Sequence, residues 1–289
     1  MAFSEVLIEE ALKEFLDEDI GYGDITTDAL VNPAAKATGT VICKERAVIA
    51  GLSESIILLN LLGCKGTPKV RDGQEVPAGT IVLEVRGSGS ALLKVERVLL
   101  NLLSHMSGVA TATAELVNIA KKNGSSTRIA CTRKTLPGLR YFEKRAVELG
   151  GGDTHRLRLD DAVLIKDNHL VLAGSITAAV RKAKDKVSFT KKIEVEATTP
   201  DQAVEAGLAG ADIVLLDNMT PPEVKKSVSL LETRKLRDRL LIEVSGGITR
   251  ENLASYVKTG VDVISVGSIT HSAKAIDTSM ELHRLKKED

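Results

Sequence analysis

The second half of the chain alternates. Six short apolar runs, at 128–131, 162–165, 192–196, 212–216, 240–244 and 262–266, are separated by segments of helical character at about 139–150, 175–186, 199–209, 222–238 and 250–259. Continuous apolar runs of this length read as strands buried on both faces, and a helix between two strands lets them run parallel. The pattern predicts a parallel sheet covered by helices. Six strands fall short of the eight that close a β/α barrel, so the expectation is an open or irregular barrel.

Each run also ends on a distinctive group. The first leads into Arg133–Lys134, the second into Lys166, the third ends at Glu196 and the fourth at Asp217. The fifth ends at Ser245–Gly246–Gly247 and the sixth at Gly267–Ser268. In β/α barrels the site is built at the carboxyl ends of the strands. The groups sort by chemistry. Arg133, Lys134, His155, Arg156 and Lys166 make a cationic side, and Glu196 and Asp217 an acidic side. The two Gly-rich turns between strand and helix let backbone N–H groups approach a phosphate. No GxGxxG or P-loop is present.

The densest stretch is Cys131-Thr132-Arg133-Lys134-Thr135-Leu136-Pro137-Gly138-Leu139-Arg140. Arg133, Lys134 and Arg140 fall around a Pro–Gly turn. Taken alone, the stretch is either a clamp for a compact ligand with several negative charges or a solvated basic loop. Cys131 reads as a strand core residue rather than a nucleophile.

Over the first half, 4–19 reads as a helix capped by Ser4, 36–49 as strand, 53–62 as a helix, and 68–86 as short strands around Gly turns. The segments 91–103 and 109–122 read as two helices broken at Ser107–Gly108. The domain organisation expected is an N-terminal α/β (α+β) sandwich over 1–108, joined by a C-terminal helix over 274–289, and an α/β barrel over 109–273.

Composition closes off other classes. The 39 Lys+Arg balance 39 Asp+Glu, there is no Trp, and aromatics are 2%. A nucleic-acid binder would carry a basic excess or stacking platforms. Cys43, Cys64 and Cys131 are an odd number with no CxxC pair, which argues for a reducing cytoplasm and against a disulfide frame or structural zinc. The N-terminus opens a polar amphipathic run rather than a signal peptide, and no apolar run reaches the roughly 18 residues of a membrane span.

Taken together, Thr132-Arg133-Lys134-Thr135-x-Pro137-Gly138-Leu139-Arg140, Gly151-Gly152-x-x-His155-Arg156, Leu164-Ile165-Lys166-Asp167-Asn168-His169, Glu194-Val195-Glu196, Leu216-Asp217-Asn218, Ser245-Gly246-Gly247-Ile248 and Gly267-Ser268-x-Thr270-His271-Ser272 resemble the quinolinate phosphoribosyltransferase family. Glu96-Arg97, Ser107-Gly108-Val109-Ala110-Thr111 and Gly21-x-Gly23-Asp24-Ile25-Thr26-Thr27 also match. The resemblance implies a type II phosphoribosyltransferase, a pentosyltransferase of NAD biosynthesis. It takes quinolinate and 5-phosphoribosyl-1-pyrophosphate with Mg²⁺ to nicotinate mononucleotide, pyrophosphate and CO₂. It implies a homodimer or hexamer with active sites shared between subunits.

Carried over by motif, Arg133, His155, Arg156 and Lys166 hold the quinolinate carboxylates, Lys134 meets the pyrophosphate or second substrate, and Arg97 reaches in from a partner subunit. Glu196 and Asp217 face the ribose hydroxyls and the metal, and with Lys134 form the catalytic set. Ser245, Gly246, Gly247, Gly267 and Ser268 take the 5′-phosphate, with His271 beside them. For His169 and His271 a plain cap or hydrogen bond competes with a substrate contact. The rival enzymes are a nicotinate phosphoribosyltransferase and the molybdenum-transport-associated paralogue of the fold. A non-catalytic anion- or nucleic-acid-binding protein is the rival of another class.

Overall fold

The computed structural model describes residues 4–285. In chain order it begins with α1 (Glu5–Ile20), α2 (Ile25–Leu30), β1 (Lys36–Cys43), β2 (Ala47–Val48), α3 (Leu52–Leu61), β3 (Lys65–Pro68), β4 (Glu75–Val76), β5 (Thr80–Ser88) and α4 (Gly89–Lys122). It continues with β6 (Arg128–Ala130), α5 (Arg140–Leu149), β7 (Val163–Ile165), α6 (Asp167–Ala173), α7 (Ile176–Lys186), β8 (Ile193–Ala197) and α8 (Pro200–Ala209). Last come β9 (Ile213–Asp217), α9 (Pro221–Thr233), β10 (Leu241–Ser245), α10 (Leu253–Val257), β11 (Val263–Ser265), α11 (Ser268–His271) and β12 (Thr278–Arg284). Two compact units form. One takes the chain up to Ala114 with Leu136–Gly151 and the segment from Ser272, and the other takes Glu115–Thr135 and Gly152–His271.

The first unit is an antiparallel sheet, β12-β1-β5-β3, with a two-stranded β2-β4 ribbon and helices. Alternate residues of β1 are buried, and Leu58, Leu59, Leu92, Val95 and Leu99 of α3 and α4 are closed to solvent. Three expectations change here. The C-terminal helix expected over 274–289 is instead strand β12, antiparallel to β1. Met280 and Leu282 alternate with Glu281 and His283, a period of two rather than 3.6. Residues 286–289 of that expected helix lie outside the described residues.

The expected break at Gly108 is absent, and α4 runs through it unbroken. A Cβ on Gly108 would meet the Lys274 carbonyl, so the glycine serves close backbone approach rather than helix termination. The boundary placed near Gly108 therefore falls inside a helix. The segment holding α5, placed in the barrel by its position in sequence, belongs to the first unit. Its Phe142 ring lies 5.5 Å from Phe15, and Tyr141 donates to Glu54 at 3.0 Å.

The second unit is a six-stranded sheet in the order β6-β11-β10-β9-β8-β7, with every pairing parallel. It is the parallel α/β sheet expected of an open barrel. One face is apolar: Ile129, Ile193, Val195, Val214, Leu216, Ile242, Val244 and Ile264 are buried, and α7 and α8 pack onto β8. The register puts a different set on the other face. Glu196, Leu215, Glu243 and Val263 stand side by side, and Asp217, Ser245, Ser265 and Ala130 form the next layer toward the carboxyl ends. Caps fix the loops just beyond. Thr199 accepts from the Gln202 amide ahead of α8, and Thr220 and Glu223 form a capping box ahead of α9.

Candidate active site

The carboxyl ends of these strands carry the predicted groups. After β6, the Lys134 amide donates to Thr132 Oγ1 at 3.0 Å, and Thr270 Oγ1 donates to the Lys134 carbonyl at 2.8 Å. The absent side chain of Gly267 leaves a place bordered by Lys134 Cδ, Thr132 Oγ1 and His271 Nε2. Lys134, Gly267, Ser268 and His271 thus come together at neighbouring strands β6 and β11.

Beyond the free edge of β6, the Cys131 amide donates to the Asp153 carbonyl at 3.0 Å, and the Asp153 amide to Ile129 at 2.8 Å. This extension places His155. Its backbone lies in the left-handed region, φ +51°, held by its amide donating to Asp153 Oδ1 at 2.8 Å. Its Nε2 lies 3.2 Å from Glu243 and 3.6 Å from Glu194. Burial opposes a charge on the ring, but the hydrogen bonds and charges of the two carboxylates outweigh it and push the pKa up to about 10. At Nδ1 a further proton competes with the Arg156 amide, which sits 2.7 Å away and can only donate. Nε2 is the ring nitrogen that faces Glu243, and Nδ1 faces the Arg156 amide. Burial, and then the nearby Glu243, raise the Glu194 carboxyl above its ordinary range, against the pull of His155.

Arg156 follows, with Nη1 donating to the Ala162 carbonyl at 3.3 Å. Burial, and then the positive charge of Arg133, lower its pKa. Arg133 Nε is buried and meets no acceptor among the described residues. Lys166 Nζ bonds both oxygens of Glu196, at 3.0 and 3.3 Å. Asp217 Oδ2 accepts from Asn218 at 2.6 Å. The Asn218 amide returns to the Ser245 carbonyl at 2.9 Å, and its side chain fills the space a Gly246 Cβ would need. Gly246 and Gly247 both adopt positive φ, +94° and +61°. His169 Nδ1 accepts the Lys166 amide at 2.9 Å, so this histidine caps α6.

All the predicted site residues except Arg97 lie in this unit. Arg97 lies on α4 in the first unit. Glu243 and Asp153 escaped the sequence reading, and Thr132, Glu194, Asn218 and Thr270 were quoted only as parts of motifs. The signal for the two glutamates was parity: Glu194 precedes Glu196 by two, and Glu243 precedes Ser245 by two, so each shares its neighbour's face.

Two model families match the chain. Quinolinate phosphoribosyl transferase, N-terminal domain, covers residues 24–107, and quinolinate phosphoribosyl transferase, C-terminal domain, covers 109–281. The chain belongs to the quinolinate phosphoribosyltransferase family. Within that family it is 45% identical over 277 residues to the probable nicotinate-nucleotide pyrophosphorylase (carboxylating) of Methanothermobacter thermautotrophicus, across 96% of this chain and 99% of the relative. It is 39% identical to nicotinate-nucleotide pyrophosphorylase (carboxylating) of Homo sapiens, across 88% and 85%. The crystal structure of NadC from Streptococcus pyogenes superposes with a TM-score of 0.92 at 36% identity, across 99% of this chain and 100% of that one.

As for metals, the one His/Cys/Asp/Glu group whose ligand atoms cluster, among the described residues, is His155–Glu194–Glu243, within 4.8 Å. In this structure the imidazole Nε2 lies 3.2 Å from Glu243 and 3.6 Å from Glu194, so the three groups address one another. At the rim of this quinolinate phosphoribosyltransferase, Glu196 and Asp217 offer hard carboxylate oxygens of the kind Mg²⁺ takes alongside substrate phosphates.

Proposed function

We propose that this rim is where the chain performs its family's reaction. The enzyme transfers the phosphoribosyl group of 5-phosphoribosyl-1-pyrophosphate to quinolinate with decarboxylation, a step of pyridine nucleotide biosynthesis. The observation that carries the assignment of the rim is the pair Arg133 and Arg156. Among the described residues, Arg133 Nε is buried without an acceptor, and the Arg133 charge acts on the Arg156 guanidinium. A dianion with adjacent carboxylates relieves both, because Arg forks match carboxylate oxygens.

Arg133, Arg156, His155 and Lys166 orient quinolinate with its ring nitrogen toward the anomeric carbon of the ribose. The N–C1′ bond forms as the bond to pyrophosphate breaks. Positive charge grows on the ribose, and Glu196 and Asp217 stabilise it electrostatically. Lys134 meets the departing pyrophosphate, and the turns at Ser245–Gly246–Gly247 and Gly267–Ser268 hold the 5′-phosphate beside His271. Mg²⁺, held by the substrate's phosphates with Glu196 and Asp217, would neutralise the leaving group. The C–CO₂ bond then breaks, its electron pair stays on the ring carbon beside the ribosylated nitrogen, whose positive charge stabilises it, and that carbon takes up a proton from solvent in place of CO₂.

The assembly we propose is a homodimer or hexamer in which Arg97 reaches a partner's site. No helix of the described residues is long and apolar enough to cross a membrane, and Cys43, Cys64 and Cys131 are buried with no disulfide among them. Both observations support a cytoplasmic location. The test is a paired assay with 5-phosphoribosyl-1-pyrophosphate and Mg²⁺, with quinolinate in one tube and nicotinate in the other. Mononucleotide and CO₂ from quinolinate alone are expected. Product from nicotinate alone would reassign the substrate.

A further inference from the structure

Two carboxylates on the inner face of the sheet have no role in the reaction as described above. Glu194 and Glu243 are 1% and 2% exposed, and each keeps one oxygen, Oε1, with no partner. Burying a carboxylate oxygen unpaired is destabilising. The fold does not require it, since Leu215 sits between Glu196 and Glu243 in register and fills the same layer with an apolar side chain. The group that both carboxylates address is His155 Nε2.

We infer that Glu194 and Glu243 are positioning residues for the anion site: they hold the His155 imidazole from the sheet side, and so set both the turn that presents Arg156 and the proton His155 offers a carboxylate. The inference rests on quinolinate being the substrate. His155 needs such an anchor because its left-handed backbone is strained for a residue with a side chain. Its backbone amide is held by Asp153 Oδ1, at 2.8 Å. The charged groups around it divide by side. Glu194 and Glu243 face its Nε2. Asp153 lies at its backbone, Arg156 beside it with Arg133 and Asp161, and the Lys166–Glu196 pair on the neighbouring strand ends. With the carboxylates in place, a substrate carboxylate that displaces the Arg156 amide from Nδ1 meets a ring ready to be an imidazolium. Without them, burial among cations leaves the ring neutral.

The experiment uses the full-length enzyme with Glu194→Gln and Glu243→Gln, alone and combined with His155→Asn. It reads kcat and each KM across pH, together with Tm. Expected is a rise of roughly tenfold in KM for quinolinate above neutral pH, with kcat and the KM for 5-phosphoribosyl-1-pyrophosphate within about threefold. The variants should show a new ionisation in the quinolinate profile between about pH 6 and 8, where wild type is flat. Tm should not fall, and Glu243→Gln should add nothing once His155 is Asn.

An unchanged quinolinate KM, an equal rise in both KM values, or additive effects in the His155→Asn background would overturn the proposal. If Glu243→Gln does not fold, Glu243→Asp keeps the charge and shortens the reach. It should raise the quinolinate KM with a flat pH profile, and a wild-type KM there sinks the idea. A wild-type enzyme inactive on quinolinate brings down the substrate reading first, and is visible as such before any variant is compared.

Discussion

Glu54 shows how a single side chain can work against the fold that holds it. It is 2% exposed, Oε1 accepts the Tyr141 hydroxyl at 3.0 Å, and Oε2 meets nothing. Burial raises its pKa above the ordinary 4.5, with the Asp72 charge adding to the rise. A raised value means the protonated form suits the folded state. The contribution is fully present below about pH 4.5 and is lost as pH climbs through the folded pKa. Glu54→Gln keeps the Tyr141 acceptor and removes the charge. It should raise stability by about 1 kcal/mol at pH 8 and by nothing near pH 4, as read by thermal melts at the two pH values. At the rim, Lys134→Ala and Glu196→Gln should lower kcat by about 100-fold or more while circular dichroism stays unchanged. A variant with near-wild-type turnover loses its assigned role. These roles were legible in the sequence because each residue ends a strand. Glu243 was not picked out: its parity with Ser245 puts it on the site face, but a carboxylate one layer in from the strand end reads in the sequence like any other charged strand residue.

Among elements, the turn after β10 carries the sharpest constraint. Gly246 has φ +94° and its Cβ position is taken by the Asn218 side chain and backbone, whereas Gly247 has φ +61° with open space beside it. Gly246→Ala must both strain its backbone and push Asn218 away from Asp217. It should cost roughly 2–3 kcal/mol of stability and raise the KM for 5-phosphoribosyl-1-pyrophosphate. Gly247→Ala should cost only about 1 kcal/mol. Urea melts and initial rates separate the two; equal effects would remove Asn218 from the account. β9 was legible as a continuous apolar run over 213–216, and β8 and β10 by the apolar residues of their helix-covered face, with Glu194, Glu196 and Glu243 alternating on the other. The helix break read at Gly108 and the helix read over 274–289 failed for one reason. The sequence shows a glycine and a polar tail, but what they mean depends on a segment far away in the chain, the Lys274 backbone for one and β1 for the other.

For the whole molecule, the proposed sharing of sites makes a prediction that no single chain can fulfil. Arg97→Ala and Lys166→Ala should each be nearly inactive. Mixed and reassembled, they should regain up to about a quarter of wild-type activity, since random pairing of two subunits yields one repaired site per mixed dimer. No regain in verified mixed dimers places Arg97 in its own subunit's site. Zero formal net charge already indicated that cations would be gathered locally, and the Arg133–Arg156 neighbourhood is where they are gathered.

The pairing of β12 with β1 carries a consequence for synthesis. The first unit begins early in the chain and receives its last strand only at residues 278–284, after the whole parallel sheet has been made. At a translation rate of roughly 5–20 residues per second, one edge of β1 waits tens of seconds on the ribosome with its amides and carbonyls unpaired. An edge like that invites pairing with another nascent chain. The parallel sheet, contiguous but for one excursion to α5, can close during that wait. The last strand to emerge is then both the seal on the first unit and the end of its exposure to neighbouring chains on the same message.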